Sequence, residues 1–284
     1  MLIKCLASIA LMVLASGAQT QDFAWDMVEP TKDLRYHDCY NGYKCARLKV
    51  PLDWNDPQNN DSVAIAILTV PATVSEDDPS FGGTVITNPG GPGASGVDAA
   101  LHTGKYIQWV IDKNKHYEIL SFDPRGVAHT TPRADCFGGK PIKDAYRMQD
   151  RGSGPLVAEG DPLKHRFAIA QAFWSLCEET DRNVNILPHV GTAAVARDMV
   201  EIAERVDELR RKTDLPRSAL PTGDIVRVQF FGLSYDARLG NVFASMFPGR
   251  VGRVAADAII YNKDFTTVRL PSQPLLPEFS PVHR

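Results

Sequence analysis

Residues 226–240 read VRVQFFGLSYDARLG. An apolar run of strand length, Ile225 to Phe231, enters Gly232-Leu233-Ser234-Tyr235, and Ala237 to Phe247 follows with helical character. Strand, tight turn and helix in that order are the context in which a serine forms a nucleophile elbow. The sharp turn lifts the Ser234 hydroxyl above the sheet edge. Small residues two positions to either side let strand and helix approach closely, and Gly232 meets that need. The backbone N–H of Tyr235, at a helix N-terminus, then faces a developing oxyanion. The second small position is filled by Asp236. A carboxylate there is expected to crowd the packing and to place negative charge beside the oxyanion.

The rest of the chain supplies a sheet for such a turn. Cys45 to Val50 and Ser62 to Val70 alternate or run apolar at strand length around the turn-rich DWNDPQNND, which predicts an antiparallel pair. Gly83 to Thr87 and Tyr117 to Phe122 are further strands, each ending in a loop. Val97 to Lys113, Leu163 to Cys177 and Thr192 to Leu209 carry helical spacing, with Thr192 as the N-cap of the last. Within that helix Arg197 and Asp198 read as a structural pair. Asp123 to Gly160 reads as a long loop region rich in Gly, Pro and charge, and Val251 to Ile260 as the sixth and last strand. Strands alternating with helices imply an α/β fold, a mainly parallel sheet with helices on both faces.

A second segment converges on the same chemistry. TNPGGPGASG, Thr87 to Gly96, follows the third of these strands and is dense in glycine. Such a loop lets backbone N–H groups gather on an anion. In the strand–turn–serine fold the loop after the third strand supplies the other oxyanion donor. A phosphate cradle fits less well, because the Lys-Ser/Thr of a P-loop and the G-x-G-x-x-G pattern with its later acidic residue are both missing.

The 284 residues are 44% hydrophobic and 23% charged, with a formal net charge of -3, which gives no general attraction to nucleic acid. Met1 to Ala18 carries an apolar core, Cys5 to Leu14, too short to span a membrane and followed by small residues. It reads as a signal peptide cleaved near Ala18, leaving 19–264 as the N-terminal part of the α/β domain and 265–284 as a Pro-rich tail expected to be disordered. No membrane attachment is expected after cleavage. Cys39, Cys45, Cys136 and Cys177 then remain. Their even number in a secreted chain predicts disulfides and leaves three pairings open. Without a CxxC pair they do not suggest zinc, and neither metal nor cofactor is expected. Asn60-Asp61-Ser62 is an N-glycosylation acceptor that agrees with secretion.

Five motifs in order resemble the secreted tripeptidyl-aminopeptidase-like and proline-iminopeptidase-like serine hydrolases of the α/β-hydrolase superfamily. They are CARLKVPLDW (Cys45 to Trp54), TNPGGPGASG, FDPRGVAHTTPRADCF (Phe122 to Phe137), AAVARDM (Ala193 to Met199) and FGLSYDARLGNVFASMFPGRVGRVAADAI (Phe231 to Ile259). The resemblance implies an α/β-hydrolase fold and a secreted exopeptidase releasing short N-terminal pieces, with peptides or small esters as substrates. It makes Ser234 the nucleophile and Gly91 and Tyr235 the oxyanion donors, with Gly90 and Gly93 shaping the loop. Asp123-Pro124-Arg125-Gly126 would line the site. His129 stands where the family has another residue and reads as divergence rather than as a base. The expected disulfides are Cys39–Cys45, closing a short loop, and Cys136–Cys177, tying a loop to a helix, a pairing the resemblance supports.

In this fold the triad runs Ser, then Asp or Glu, then His. After Ser234 the acids are Asp236, Asp257, Asp264 and Glu278, and the only histidine is His283. Asp257 reads as structural, and His283 has no strand or helix to aim it. The lid and the last two strands are expected to be missing, and the chain to be a truncated, inactive form. The alternatives are a non-catalytic binding protein of the same fold and an esterase- or lipase-like hydrolase.

Overall fold

The computed structural model describes residues 23–56, 58–138, 140–152, 161–212, 225–259 and 265. The signal-like Met1 to Ala18, Asp264, and the tail with Glu278 and His283 lie outside the described residues. Seven strands stand among those described: β1 (His37–Cys39), β2 (Tyr43–Pro51), β3 (Ser62–Val70), β4 (Phe81–Asn88), β5 (His116–Phe122), β6 (Val228–Leu233) and β7 (Val251–Asp257). The helices are α1 (Gly96–Ile111), α2 (Lys140–Gly152), α3 (Asp161–Asp181), α4 (Thr192–Lys212) and α5 (Tyr235–Met246).

The strands form one sheet in the order β1-β2-β3-β5-β4-β6-β7. β1–β2, β2–β3 and β3–β5 pair antiparallel, while β4–β5, β4–β6 and β6–β7 pair parallel. β2 and the four strands from β4 to β7 therefore share one direction. The core divides between the two faces. On one, Val97, Ala100 and Ile107 of α1 pack on Leu68, Val85 and Ile119. On the other, Met199 and Ile202 of α4 and Leu239 and Phe243 of α5 pack on Ile65, Ile67, Ile86 and Phe230. β3 is covered on both faces, which is why SVAIAILTV reads as a nearly unbroken apolar run.

Several expectations are corrected. The sheet has a seventh strand, β1, joined to β2 through Tyr40, Asn41 and Gly42 at positive φ and clamped by the Cys39–Cys45 disulfide. Three residues are too few to show a period. The glycine loop thus follows the fourth strand of the chain. The supposed loop from Asp123 contains α2, whose Ile142, Ala145, Tyr146 and Gln149 line a groove against Ala168, Ile169, Ala172 and Phe173 of α3. Its lysines, arginines and aspartates mask that stripe, which is spaced at three and four residues. Cys136–Cys177 ties the start of this excursion to α3. β6 begins later than expected and runs through Gly232 to Leu233, and β7 ends at Asp257 rather than continuing to Ile260, which lies outside the described residues. Thr192 is the first residue of α4 rather than its cap, and its hydroxyl bonds the Tyr235 hydroxyl. Asn60 is exposed between β2 and β3.

The Arg197–Asp198 pair is also corrected. Asp198 turns inward and takes two bonds from Arg125, at 2.6 Å to Nε and 2.7 Å to Nη2, and a third from Trp54 Nε1 at 2.9 Å. Arg197 instead donates to the Trp54 carbonyl. Arg125 also bonds the Pro51 and Leu52 carbonyls, and both charged side chains are fully enclosed. One ion pair thus joins the β5–α2 connection, the end of β2 and α4. Asp198→Ala should cost about 3–5 kcal/mol, because it strands a buried guanidinium. Arg125→Met/Asp198→Leu should recover most of that loss. Urea unfolding of the parent and both variants measures the two differences.

Candidate active site

β6 delivers Ser234 at φ 55°, ψ -120°, a left-handed conformation that a non-glycine residue occupies only under constraint. The constraint is visible. The Ser234 N–H bonds the Asp257 carbonyl at 3.0 Å, and the Ser234 carbonyl receives the Ala237 N–H at 3.0 Å. A Cβ on Gly232 would stand 2.3 Å from the Asp236 carbonyl oxygen, so only glycine allows α5 to leave at this angle. Among the described residues the Ser234 hydroxyl has no hydrogen-bond partner, and the side chain is partly exposed.

The glycine loop closes over this turn. Gly90 sits so near it that a Cβ would fall 2.6 Å from the Leu233 oxygen and 2.9 Å from the Tyr235 nitrogen. Gly91 and Gly93 follow at φ 113° and 92°. At the loop's far end Ser95 caps α1, and Asp123 from the end of β5 accepts the Ser95 hydroxyl and the Val97 N–H. The loop is therefore anchored at both ends to the carboxyl edge of the parallel strands, where open α/β sheets bind ligands. Among the described residues the main-chain N–H groups of Gly91 and Tyr235 donate to no backbone carbonyl.

Asp236 behaves otherwise than its sequence position suggests. Its backbone takes the close approach to Gly232, while its side chain swings across to accept the Gly90 N–H at 2.9 Å. The expected crowding is replaced by a bond joining elbow and loop. Asp236 is 3% exposed, and burial pushes its pKa up to about 6, against the opposing pull of the Gly90 bond.

The other residues read from the sequence are not brought to Ser234. His129 stacks on Trp25 with ring centroids 5.2 Å apart, and its N–H bonds Asp123. The Asp257 carboxylate is exposed and bonds the Ala258 N–H, so Asp257 serves the elbow through its carbonyl. No histidine among the described residues bonds Ser234, and no group of three His, Cys, Asp or Glu among them could hold a metal. Sequence reasoning missed the Thr192–Tyr235 hydroxyl bond and the Asp257 carbonyl, since neither depends on a motif. No helix among the described residues is long and apolar enough to cross a membrane.

The raised pKa of Asp236 has a sign for stability. Between about pH 4 and 6 the folded state holds a proton that the unfolded chain has released. The contribution of this group to stability is therefore largest below that window and is lost as pH rises through 6. The loss attributable to this group is about 3 kcal/mol. Asp236→Asn, which keeps an acceptor for Gly90 and cannot ionise, should flatten that part of the profile. Urea unfolding of parent and variant at pH 4.5 and 7.5 checks the difference.

No family model matches the chain. It is similar to "Serine protease Hip1" of Mycobacterium tuberculosis, 30% identical over 219 residues that make up 77% of this chain and 36% of that protein. It is similar also to "Carboxylesterase B" of the same species, 34% identical over 160 residues, 55% of this chain and 28% of the relative. "Tripeptidyl aminopeptidase" of Streptomyces lividans is 28% identical over 218 residues, 76% of this chain and 35% of the relative. The chain thus spans about a third of the length of the curated relatives it matches. A sequence matched over most of its length to a serine protease and an aminopeptidase, and folded so that a serine stands on a strained turn at the end of a parallel strand, has an α/β-hydrolase fold and is similar to the serine hydrolases of that superfamily.

Proposed function

We propose that the chain carries the nucleophile and oxyanion half of a secreted serine exopeptidase that releases short N-terminal pieces from peptides. The observation that carries this reading is the conformation of Ser234, at φ 55°, ψ -120°, with the glycine loop seated on its turn. In this reading Ser234 attacks the scissile carbonyl, and the main-chain N–H groups of Gly91 and Tyr235 take up the charge that develops on its oxygen. Likeness to a serine protease and to a tripeptidyl aminopeptidase supports a peptide substrate. Likeness to a carboxylesterase supports an ester as the second reading, and the same acylation step serves both. Secretion is supported by the signal-like segment, the two disulfides and the exposed acceptor Asn60.

A serine hydroxyl stays protonated at neutral pH and needs a base. None of the described histidines reaches Ser234. A reactive ester needs no proton on its leaving group and asks of the site only a slow attack assisted by the oxyanion donors. 4-Nitrophenyl acetate should therefore leave one acetyl group on Ser234, found by peptide mapping and lost in Ser234→Ala. Acetylation confined to lysines would overturn the reading. Hydrolysis of a chromogenic tripeptide amide by the 284-residue polypeptide should stay within about 10³–10⁴ over water, the remnant left by oxyanion stabilisation and binding. A rate about 10⁵-fold over water or higher that disappears in Ser234→Ala would reveal a base, with His129 and His283 the first positions to replace.

A further inference from the structure

Beside the elbow opens a cavity of about 350 Å³, a size that holds one side chain of a substrate. Its walls include Gly90 and Gly93 of the glycine loop and Tyr235 and Asp236 of the elbow, so it adjoins the turn that carries Ser234. The charged groups on the remaining wall are Arg125, Arg133, Asp135 and Lys143. Arg125 is already neutralised by Asp198. The two carboxylates are each engaged by the main chain, Asp135 by the Phe137 N–H at 3.1 Å and Asp236 by the Gly90 N–H. Arg133 and Lys143 differ from all of these. Neither makes an ion pair or a side-chain hydrogen bond among the described residues, and both are exposed toward solvent. Their backbones are nonetheless fixed. Arg133 bridges Gly126, and the neighbouring Ala134 N–H bonds the Gly126 carbonyl at 2.9 Å. Lys143 rides on α2, whose apolar stripe faces α3. Two uncommitted cations are thus held by ordered backbone at the rim of the cavity beside the serine.

We infer that this cavity is a subsite for an anionic group of the substrate, the carboxylate of an acidic residue in a peptide, and that Arg133 and Lys143 are its specificity-determining residues. The inference rests on the reading of Ser234 as the nucleophile only for its consequence, since binding of the carboxylate requires no chemistry. Asp135 and Asp236 line the same cavity and keep their charge despite their main-chain hydrogen bonds, so they offset part of the pull that Arg133 and Lys143 exert on an entering carboxylate. The neutral amide of the same shape could accept a hydrogen bond from either cation but would gain none of the attraction between opposite charges. Solvent-exposed ion pairs are individually modest, and two of them acting on one ligand give a discrimination of about three- to tenfold at low salt.

The test is equilibrium binding of Ala-Ala-Glu-amide and Ala-Ala-Gln-amide to the whole polypeptide by titration calorimetry. The acidic peptide should bind about three- to tenfold more tightly, and the difference should shrink in 0.5 M salt, where exposed charges are screened. Arg133→Gln/Lys143→Gln should abolish the preference, bringing the two peptides to the same affinity. Both positions are exposed, so this variant is expected to fold. Equal binding of the two peptides, binding of neither, or a preference that survives the double substitution would each overturn the proposal. Failure of the hydrolase reading is separately visible. A preference for the acidic peptide without acetylation of Ser234 would keep the subsite and discard the nucleophile.

Discussion

The conformation of Ser234 is the constraint around which the rest is arranged. A non-glycine residue at positive φ costs on the order of 1–3 kcal/mol and persists only where its surroundings over-determine it. Here three neighbours do so at once. β7 offers the Asp257 carbonyl to the Ser234 N–H, α5 returns the Ala237 N–H to the Ser234 carbonyl, and Gly232 lets the first turn of α5 press against the strand. Each neighbour requires a larger element to be in place. Asp257 is positioned by the parallel pairing of β6 with β7, and β6 by its pairing with β4. The strained turn is therefore a property of the sheet's parallel half rather than of the tetrapeptide that carries it.

The loops around the turn are organised by buried polar groups rather than by apolar packing. Asp123 at the end of β5 holds the start of α1 and, through the His129 N–H, its own following loop. Two residues on, Arg125 bonds Asp198 and the carbonyls that end β2. Consecutive turns of one short segment thus attach to elements on opposite faces of the sheet, which fixes the cavity wall running from Pro124 to Ala128. A wholly apolar replacement could be as stable, since burying ions is costly. The arrangement gives direction to loops that have no periodic structure of their own.

The sequence discloses those parts of the fold whose local pattern and tertiary role coincide. β3 is unbroken apolar sequence because it is covered on both faces. The strand–glycine–serine–helix order of residues 226–240 is written in consecutive residues. What was hidden depends on partners far away in the chain. β1 is a strand because Cys39 is bridged to Cys45 and because β2 offers an edge, not because three residues show a period. α2 hides its apolar stripe under charge until α3 is seen beside it. Asp198 seemed to belong with Arg197, its neighbour in sequence, while its partner lies 73 positions away. Asp236 was only partly read for a related reason. A motif states that a small residue belongs at that position, but only the folded loop shows an acceptor-seeking N–H within reach of the larger one.

That N–H changes what the aspartate does to the chemistry. A charge beside a forming oxyanion raises its energy, and the low dielectric of a buried site strengthens the effect. The same burial raises the pKa of Asp236 to about 6, so near that pH a substantial fraction of the molecules carry the group neutral. Protonation removes the charge without removing the latch, because a carboxylic acid still offers its carbonyl oxygen to the Gly90 N–H. The bond that seats the glycine loop is thus retained on both sides of the titration, whereas the repulsion exists on one side only. Acidification and a histidine base would therefore act in opposite directions on this turn. If Ser234 is the nucleophile proposed above, the base would lose its capacity to take the Ser234 proton as pH falls, while the proposed oxyanion site would become more hospitable.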